Sequence, residues 1–201
     1  MSKPQYPLGH GNFVWLGQNQ EPGGFSVRCD TLTILKNGIK GDMYRGMWRK
    51  VSGHDKDYVA TDGIDKGDWV LNLRQITIVE ETEVRVASEL AGVSIGCGML
   101  RENFVVSFTP VDGKRKFSKL PPLSRMIIGH EDPKVLILTE KNGPCQTISM
   151  PIIAHHQVNQ AMDDVLRTAL KDRRGQMAMV RSFNRRDLRI GDSFTIFPPL
   201  S

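Results

Sequence analysis

The sequence predicts a mainly β domain of the α+β class, a β-barrel with helical decoration. Three observations carry that prediction. Short β-branched runs follow one another along the chain, each bounded by Gly, Pro, Asn or Asp. Only two segments have helical periodicity, and they do not alternate with the strands as a doubly wound sheet requires. The length, 201 residues, suits one domain with a sizeable buried core, and no internal repeat or low-complexity tract interrupts it.

Residues 1–24 are rich in Gly, Pro, Gln and Asn and read as a flexible, extended N-terminal arm, which leaves 25–201 for the barrel domain. FSVRCDTLTIL (Phe25–Leu35) reads as one or two strands, punctuated by Asn37-Gly38 and Lys40-Gly41-Asp42. Residues 43–68 form a polar, irregular connection, long enough to be functional or mobile. WVLNLRQITIVE (Trp69–Glu80) is the clearest early strand and runs directly into a helix. Val84, Leu90 and Ala91 have helical spacing there, and Gly92 supplies a stop. NFVVSF, RMIIG and KVLILTE are further strands, the last two separated by His130-Glu131-Asp132-Pro133. AHHQVNQAMDDVLRTALKD predicts the strongest helix, with Val158, Ala161, Met162, Val165, Leu166 and Ala169 on one apolar stripe. MAMVRSF and SFTIFPP close the chain as strands, with Gly191-Asp192 as the turn before the last.

The net charge of +5 permits an anionic ligand or nucleic acid without demanding either. Basic runs stand at Lys114–Lys116, Lys171–Arg174 and Arg185-Arg186, and no aromatic residues interleave with them in a ribonucleoprotein pattern. Solvated surface charge is their ordinary reading, so nucleic acid is not the expected partner. No apolar run reaches the roughly 18–20 residues of a membrane helix, and the N-terminus lacks a basic-then-apolar export signal. A cytoplasmic protein with no membrane partner is expected.

The three cysteines, Cys29, Cys97 and Cys145, form no CxxC pair, so neither a zinc ribbon nor a redox dithiol is indicated. Cys145 follows Gly143-Pro144 at the end of a strong strand and is expected on a turn at the barrel rim. An accessible thiolate there is both a nucleophile and a soft metal ligand, and Lys141 close by in sequence favours the thiolate. Burial is the ordinary fate of a free cysteine, and Cys29 and Cys97, beside apolar segments, are read that way. Asp42 shapes a Gly-Asp turn, and its carboxylate can also orient an arginine. His54, Asp55 and Lys56 belong either to a solvated loop or to a substrate-contacting one. His155 and His156 lie about 100° apart on a helix and lack the spacing of a helical zinc pair. Trp48 and Trp69 line a planar-ligand pocket or pack in the core or rim.

The ordered motifs resemble the MOSC domain, the module at the C-terminus of molybdenum-cofactor sulfurases and of small stand-alone bacterial proteins. They are similar also to the mitochondrial amidoxime-reducing component. The resemblance runs from about Asp30 to Phe197. It rests on GIKGD (Gly38–Asp42), GHDKDYV (Gly53–Val59), LNLRQITIVEETE (Leu71–Glu83), ELAGVSIGCGMLRENFVVS (Glu89–Ser107), LSRMIIG, KVLILTEKNGPC ending at Cys145, and RRGQMAMVRSFNRRDLRIGDSFTI. Two positions depart from it. Tyr44 stands where the family often has His after Gly-Asp, and Lys141-Asn142 stand where some relatives carry Arg.

The resemblance implies a MOSC-type β-barrel. It further implies a molybdenum cofactor (molybdopterin) held by Cys145 as metal ligand and catalytic residue, or a persulfide carried on that thiol. Arg74 and Arg101 are the candidates for the cofactor's phosphate, since guanidinium groups donate in a bidentate fork. Asn103 would bond the pterin or fix a loop, and Lys141 and Asp42 complete the binding set. Rim salt bridges to Asp42 or Glu102 are the structural alternative for the two arginines. The implied activity is reduction of an N-hydroxylated or otherwise N-oxygenated small-molecule substrate. Its electrons would come from a partner reductase, because the chain has no flavin, haem or iron–sulfur motif. The alternatives are a sulfur carrier loaded by a cysteine desulfurase and a non-catalytic barrel that binds an anionic ligand.

Overall fold

The computed structural model describes residues 6–51, 64–143, 146–182 and 184–200. In chain order the elements are β1 (Gly9–Gln18), β2 (Val27–Arg28), β3 (Thr31–Leu35), β4 (Gly38–Ile39), β5 (Trp48–Lys50), β6 (Trp69–Leu71) and β7 (Ile76–Glu80). Helix α1 (Glu81–Ala91) leads to β8 (Phe104–Pro110), a 3-10 turn (Phe117–Lys119), β9 (Arg125–Ile128) and β10 (Lys134–Lys141). Then come α2 (Gln146–His156), α3 (Met162–Leu170), β11 (Gln176–Val180), β12 (Arg186–Arg189) and β13 (Ser193–Phe197).

The β-barrel expected from the sequence is present. Seven strands close a ring in the order β13-β9-β10-β11-β7-β8-β1, with β1 pairing back to β13. All contacts in the ring are antiparallel except β7 with β8, whose parallel pairing needs a crossover. Helix α1 is that crossover. Glu80 caps it by accepting a hydrogen bond from the Glu83 backbone N–H (2.8 Å), and Gly92 ends it in the left-handed conformation.

Strand alternation divides the apolar side chains between two cores. Ile76 and Ile78 of β7 and Phe104 and Val106 of β8 point into the barrel, while Val79 and Val105 point outward under the helices. In β1 a bulge between Phe13 and Trp15 changes that alternation. Phe13 and Leu16 therefore both fill the barrel, while Trp15 turns outward. Phe13 packs edge-to-face on Phe104 and Phe194, with centroids 5.1 and 5.2 Å away. A small sheet, β12-β3-β4, adds Leu32, Ile34, Ile39 and Leu188 to the same core. The outer core lies between the barrel wall and the three helices, through Ala87, Ile148, Ile152, Leu166 and Leu170.

Three expectations are corrected. The stretch assigned to a flexible arm, residues 1–24, contains β1, which pairs with both β8 and β13 and buries Phe13 and Leu16. Its glycines misled the reading. A Cβ at Gly11 would stand 2.0 Å from the Ser107 carbonyl oxygen, so there glycine permits close strand approach. The run Trp69–Glu80 is two strands, broken where Asn72 turns its side chain to the Tyr44 and Gly46 carbonyls. The long C-terminal helix is also two. Gln157 has φ +53°, which breaks the path between α2 and α3, and α2 begins eight residues earlier than expected, its helicity masked by Pro151.

Gly175, at φ +76°, enters β11 against β7, and a Cβ there would meet the Ile78 carbonyl oxygen at 1.9 Å. Backbone cannot yield as a side chain can. Gly175→Ala is expected to destabilise the fold by about 2 kcal/mol or more, read as a lower urea midpoint. An unchanged midpoint would show that this strand junction tolerates a shift.

Candidate functional site

A cleft of about 640 Å³ opens at one rim of the barrel. Its walls are the 43–50 segment, the β6–β7 break, Arg101 before β8, the end of β10, the first turns of α2, and Arg174 and Met177 around the start of β11. Arg45, Arg49, Lys50, Arg74, Arg101, Lys141 and Arg174 line it, and Glu140 is the single carboxylate among the described lining residues. Low-dielectric walls with one sign of charge focus that potential on an entering anion.

Asp42 frames the cleft from below. Its Oδ2 accepts hydrogen bonds from the Asn19 backbone N–H (2.8 Å), Asn19 Nδ2 (3.3 Å) and Asn103 Nδ2 (2.7 Å), and its Oδ1 accepts from the Tyr44 backbone N–H (2.8 Å). Asn103 is equally committed. Its Oδ1 accepts from the Thr77 N–H (2.9 Å), and its Nδ2 also reaches the Gly17 carbonyl (3.3 Å). These two buried side chains lock the end of β1, the 42–44 turn, β7 and the approach to β8 into one frame.

Arg101 stands on that frame with φ +58°, a conformation that an L-residue holds only when its surroundings over-determine it. Its backbone N–H donates to the Gly98 carbonyl (3.0 Å), and its own carbonyl accepts from Asn19 Nδ2 (3.2 Å). The side chain is 7% exposed. Nη2 donates to the Glu21 carbonyl (3.3 Å), the guanidinium lies 5.4 Å from the Tyr44 ring centroid, and Nε has no partner. No described carboxylate pairs with it. A buried guanidinium without a counter-charge is costly for a fold to retain and is the arrangement an anion completes. Beside it, burial raises the Tyr44 phenol above its ordinary pKa, against the lowering influence of Arg101, so Oη keeps its proton at neutral pH.

Arg74 forms a two-contact pair with Glu140, Nε to Oε1 and Nη2 to Oε2 (3.4 Å). Lys141 is half-exposed and lies 3.6 Å from Asp172. Arg174 is buried and donates to the Gly143 carbonyl. Asn142 is buried in the cleft wall with neither side-chain oxygen nor nitrogen hydrogen-bonded. An orphaned amide at a cleft wall asks for a ligand that offers both a donor and an acceptor.

Arg74, Arg101 and Lys141 thus share the cleft, while Asp42 and Asn103 hold its frame from beneath. Cys145, with His54, Asp55 and Lys56, lies outside the described residues; Asn142, Gly143, Thr147 and Ile148, on either side of Cys145 in sequence, line the cleft. Arg45, Arg49, Glu140 and Arg174 were not singled out from sequence, although the basic run Lys171–Arg174 contained one of them, and Asn142 stood out there only as a departure from the family pattern. The remaining cysteines differ from the expected burial: Cys97 is exposed and Cys29 half-exposed. Partial desolvation first, then Asp30 for Cys29 and Glu102 for Cys97, raises both thiols and keeps them protonated. His156 Nε2 lies 2.6 Å from the Ser94 carbonyl, and no group of three potential metal ligands occurs among the described residues.

No protein-family model and no curated protein matches the sequence. Solved structures do. The YuaD protein from Bacillus subtilis superposes with a TM-score of 0.81 over 95% of this chain and 97% of its own, at 20% identity. YiiM from Escherichia coli gives 0.53 over 94% of this chain and 71% of its own at 10% identity, and YiiM from Geobacillus stearothermophilus gives 0.51 over 96% and 75%, also at 10%. The fold is the MOSC-type β-barrel. Identity this low speaks for the barrel alone.

Two outcomes are expected. Arg101→Met removes a charge that no described carboxylate balances, so the variant should be as stable as the parent or up to about 2 kcal/mol more stable. It should also lose the thermal stabilisation that inorganic phosphate or molybdate gives the parent. A strongly destabilised variant that still responds to phosphate would refute the anion-site reading. Glu102, fully buried beside it, accepts a hydrogen bond from the Gly98 N–H through Oε1 (2.5 Å) while Oε2 has no partner. Burial raises its pKa from 4.5 to about 7, only partly opposed by hydrogen bonds and by Arg174. The unfolded chain gives up this proton near 4.5 and the folded chain keeps it to about 7. The stabilisation is therefore complete below the lower value, declines between the two, and is gone above the higher. Glu102→Gln should flatten stability across that window and gain on the order of 3 kcal/mol over the parent at high pH. Urea unfolding at a series of pH values measures it, and parallel parent and variant slopes would assign the dependence elsewhere.

Proposed function

We propose that this MOSC-type barrel binds a molybdenum cofactor in the rim cleft and reduces N-hydroxylated or N-oxygenated small molecules there. The observation that carries the reading is Arg101, a buried guanidinium with no carboxylate partner among the described residues, lining a cleft where described cations outnumber described acids. A pterin dithiolene that bears a phosphate suits that lining. About 640 Å³ lies within the range of sites for ligands of drug size. Arg101 and Arg174 would hold the phosphate. Asn142, with both amide atoms unsatisfied, would bond a donor–acceptor edge of the pterin. Cys145, three residues further along the chain, would ligate the metal as a thiolate.

When bound, the group would supply two-electron redox chemistry at an oxygen-accepting metal. The chain's residues do the rest. The Arg74–Glu140 pair fixes the cleft floor and limits the charge free to trap the wrong anion. Tyr44, its phenol kept neutral by burial, can donate a hydrogen bond from Oη to a substrate oxygen. Reduction of an N-hydroxyl breaks the N–O bond, consumes two electrons and two protons, and releases water. A separate protein would deliver the electrons.

The test is elemental analysis of protein made in a cofactor-competent host, beside Cys145→Ala. Near-stoichiometric molybdenum in the parent, lost in the variant, is the expected result. Protein without molybdenum, but with a sulfur adduct on Cys145 after incubation with a cysteine desulfurase, would replace this reading with the sulfur carrier.

A further inference from the structure

Strands β5 and β6 form a two-stranded ribbon outside the barrel sheet. Its register sets Trp48 opposite Leu71 and Lys50 opposite Trp69. Directly opposed residues share a face, as do residues two apart. These four side chains therefore occupy one side, and Arg49 and Val70, both less exposed, occupy the other. Alternation normally leaves the solvent side of such a ribbon polar. Here three of its four residues are large and apolar, with Trp48 60%, Trp69 64% and Leu71 41% exposed. The fourth, Lys50, stands 5.5 Å over the Trp69 ring. Trp48 and Lys50 also line the cleft, so the ribbon face and the cleft mouth are continuous. Met43, Tyr44 and Met47 extend the exposed apolar surface at that mouth.

We propose that this ribbon face is the docking surface for an acidic electron-transfer protein, seated across the cleft mouth. The inference rests on the reductase reading, which requires electrons from outside the chain. Exposed Trp, Tyr and Met are what protein interfaces concentrate relative to the rest of the surface. Among its described lining residues the cleft beside the face carries seven basic side chains against one acid, so the complementary partner is anionic. A second copy of this chain fits poorly, because a two-fold contact across the ribbon would bring Lys50 and the basic cleft against their own duplicates.

The experiment uses Trp69→Ser/Leu71→Ser, two positions that do not line the cleft, with Val111→Ser at the other end of β8 as an equally exposed control. Oxidised flavodoxin and a [2Fe–2S] ferredoxin, both strongly acidic, are titrated into each form at low and high salt, with binding followed calorimetrically. The parent and the control should bind at least one carrier, more weakly in high salt. The double variant should bind it at least about tenfold more weakly, and Trp69→Tyr should recover most of the loss. The proposal is overturned if neither carrier binds, or if the double variant binds as the parent does. It is overturned also if the face instead mediates self-association in light scattering, or binding to phosphatidylcholine–phosphatidylglycerol vesicles. None of these measurements needs molybdenum. A chain that binds the carrier without holding the metal would separate failure of the cofactor reading from failure of this one.

Discussion

The carboxylate of Asp42 is the point on which the cleft depends. Four N–H donors from three separate segments converge on its two oxygens. Hydrogen bonds to a charged acceptor are the stronger kind, roughly 1.5–3 kcal/mol each. They tie the end of β1 to the turn that carries Tyr44 and to Asn103 at the approach to β8. Asn19, which also bonds that carboxylate, donates from Nδ2 to the carbonyl of Arg101, whose backbone is left-handed. The cleft's buried arginine is thus positioned, through Asn19, by an acid with which it forms no ion pair.

That arrangement separates two tasks that sequence patterns tend to merge. Asp42 and Asn103 are polar and buried, and their hydrogen-bonding capacity is used by the frame. Arg101 and Asn142 are polar and buried with capacity left over. Only the second pair has something to offer a ligand. The electrostatics agree: the one described acid of the lining, Glu140, is matched to Arg74, and Arg101 has no described carboxylate paired with it.

Much of the barrel was legible in the sequence because its strands alternate and its turns carry Gly, Asn and Asp. Gly92 and Gly191 mark the ends they were expected to mark. Strand β1 was not legible, since Gly9, Gly11 and Gly17 dilute its pattern; their role, letting neighbouring strands and the Trp15 ring approach, exists only in three dimensions. The split of α2 from α3 was hidden for a similar reason, because Gln157 can adopt a positive φ without advertising it. Arg74, Arg101 and Lys141 were found by resemblance and do share the cleft. Arg45 and Arg49 reach it from one segment and Arg174 from another far away in sequence, and their convergence is a property of strand order. Asn142 looked like a departure from a pattern, and what distinguishes it in three dimensions is a buried amide with no hydrogen bond.

The ring closes through β1 and β13, strands that lie nearly at opposite ends of the chain yet exchange hydrogen bonds from Gly9 to Asn12. During synthesis, β1 must wait for the last strand to leave the ribosome before one of its edges is covered. Until then an apolar strand flanked by glycines stands open to pairing with other chains. The barrel is therefore most exposed to misassembly in the interval before its final residues emerge. A circular permutant that joins β13 to β1 and opens an exterior loop would shorten that interval without altering the cleft.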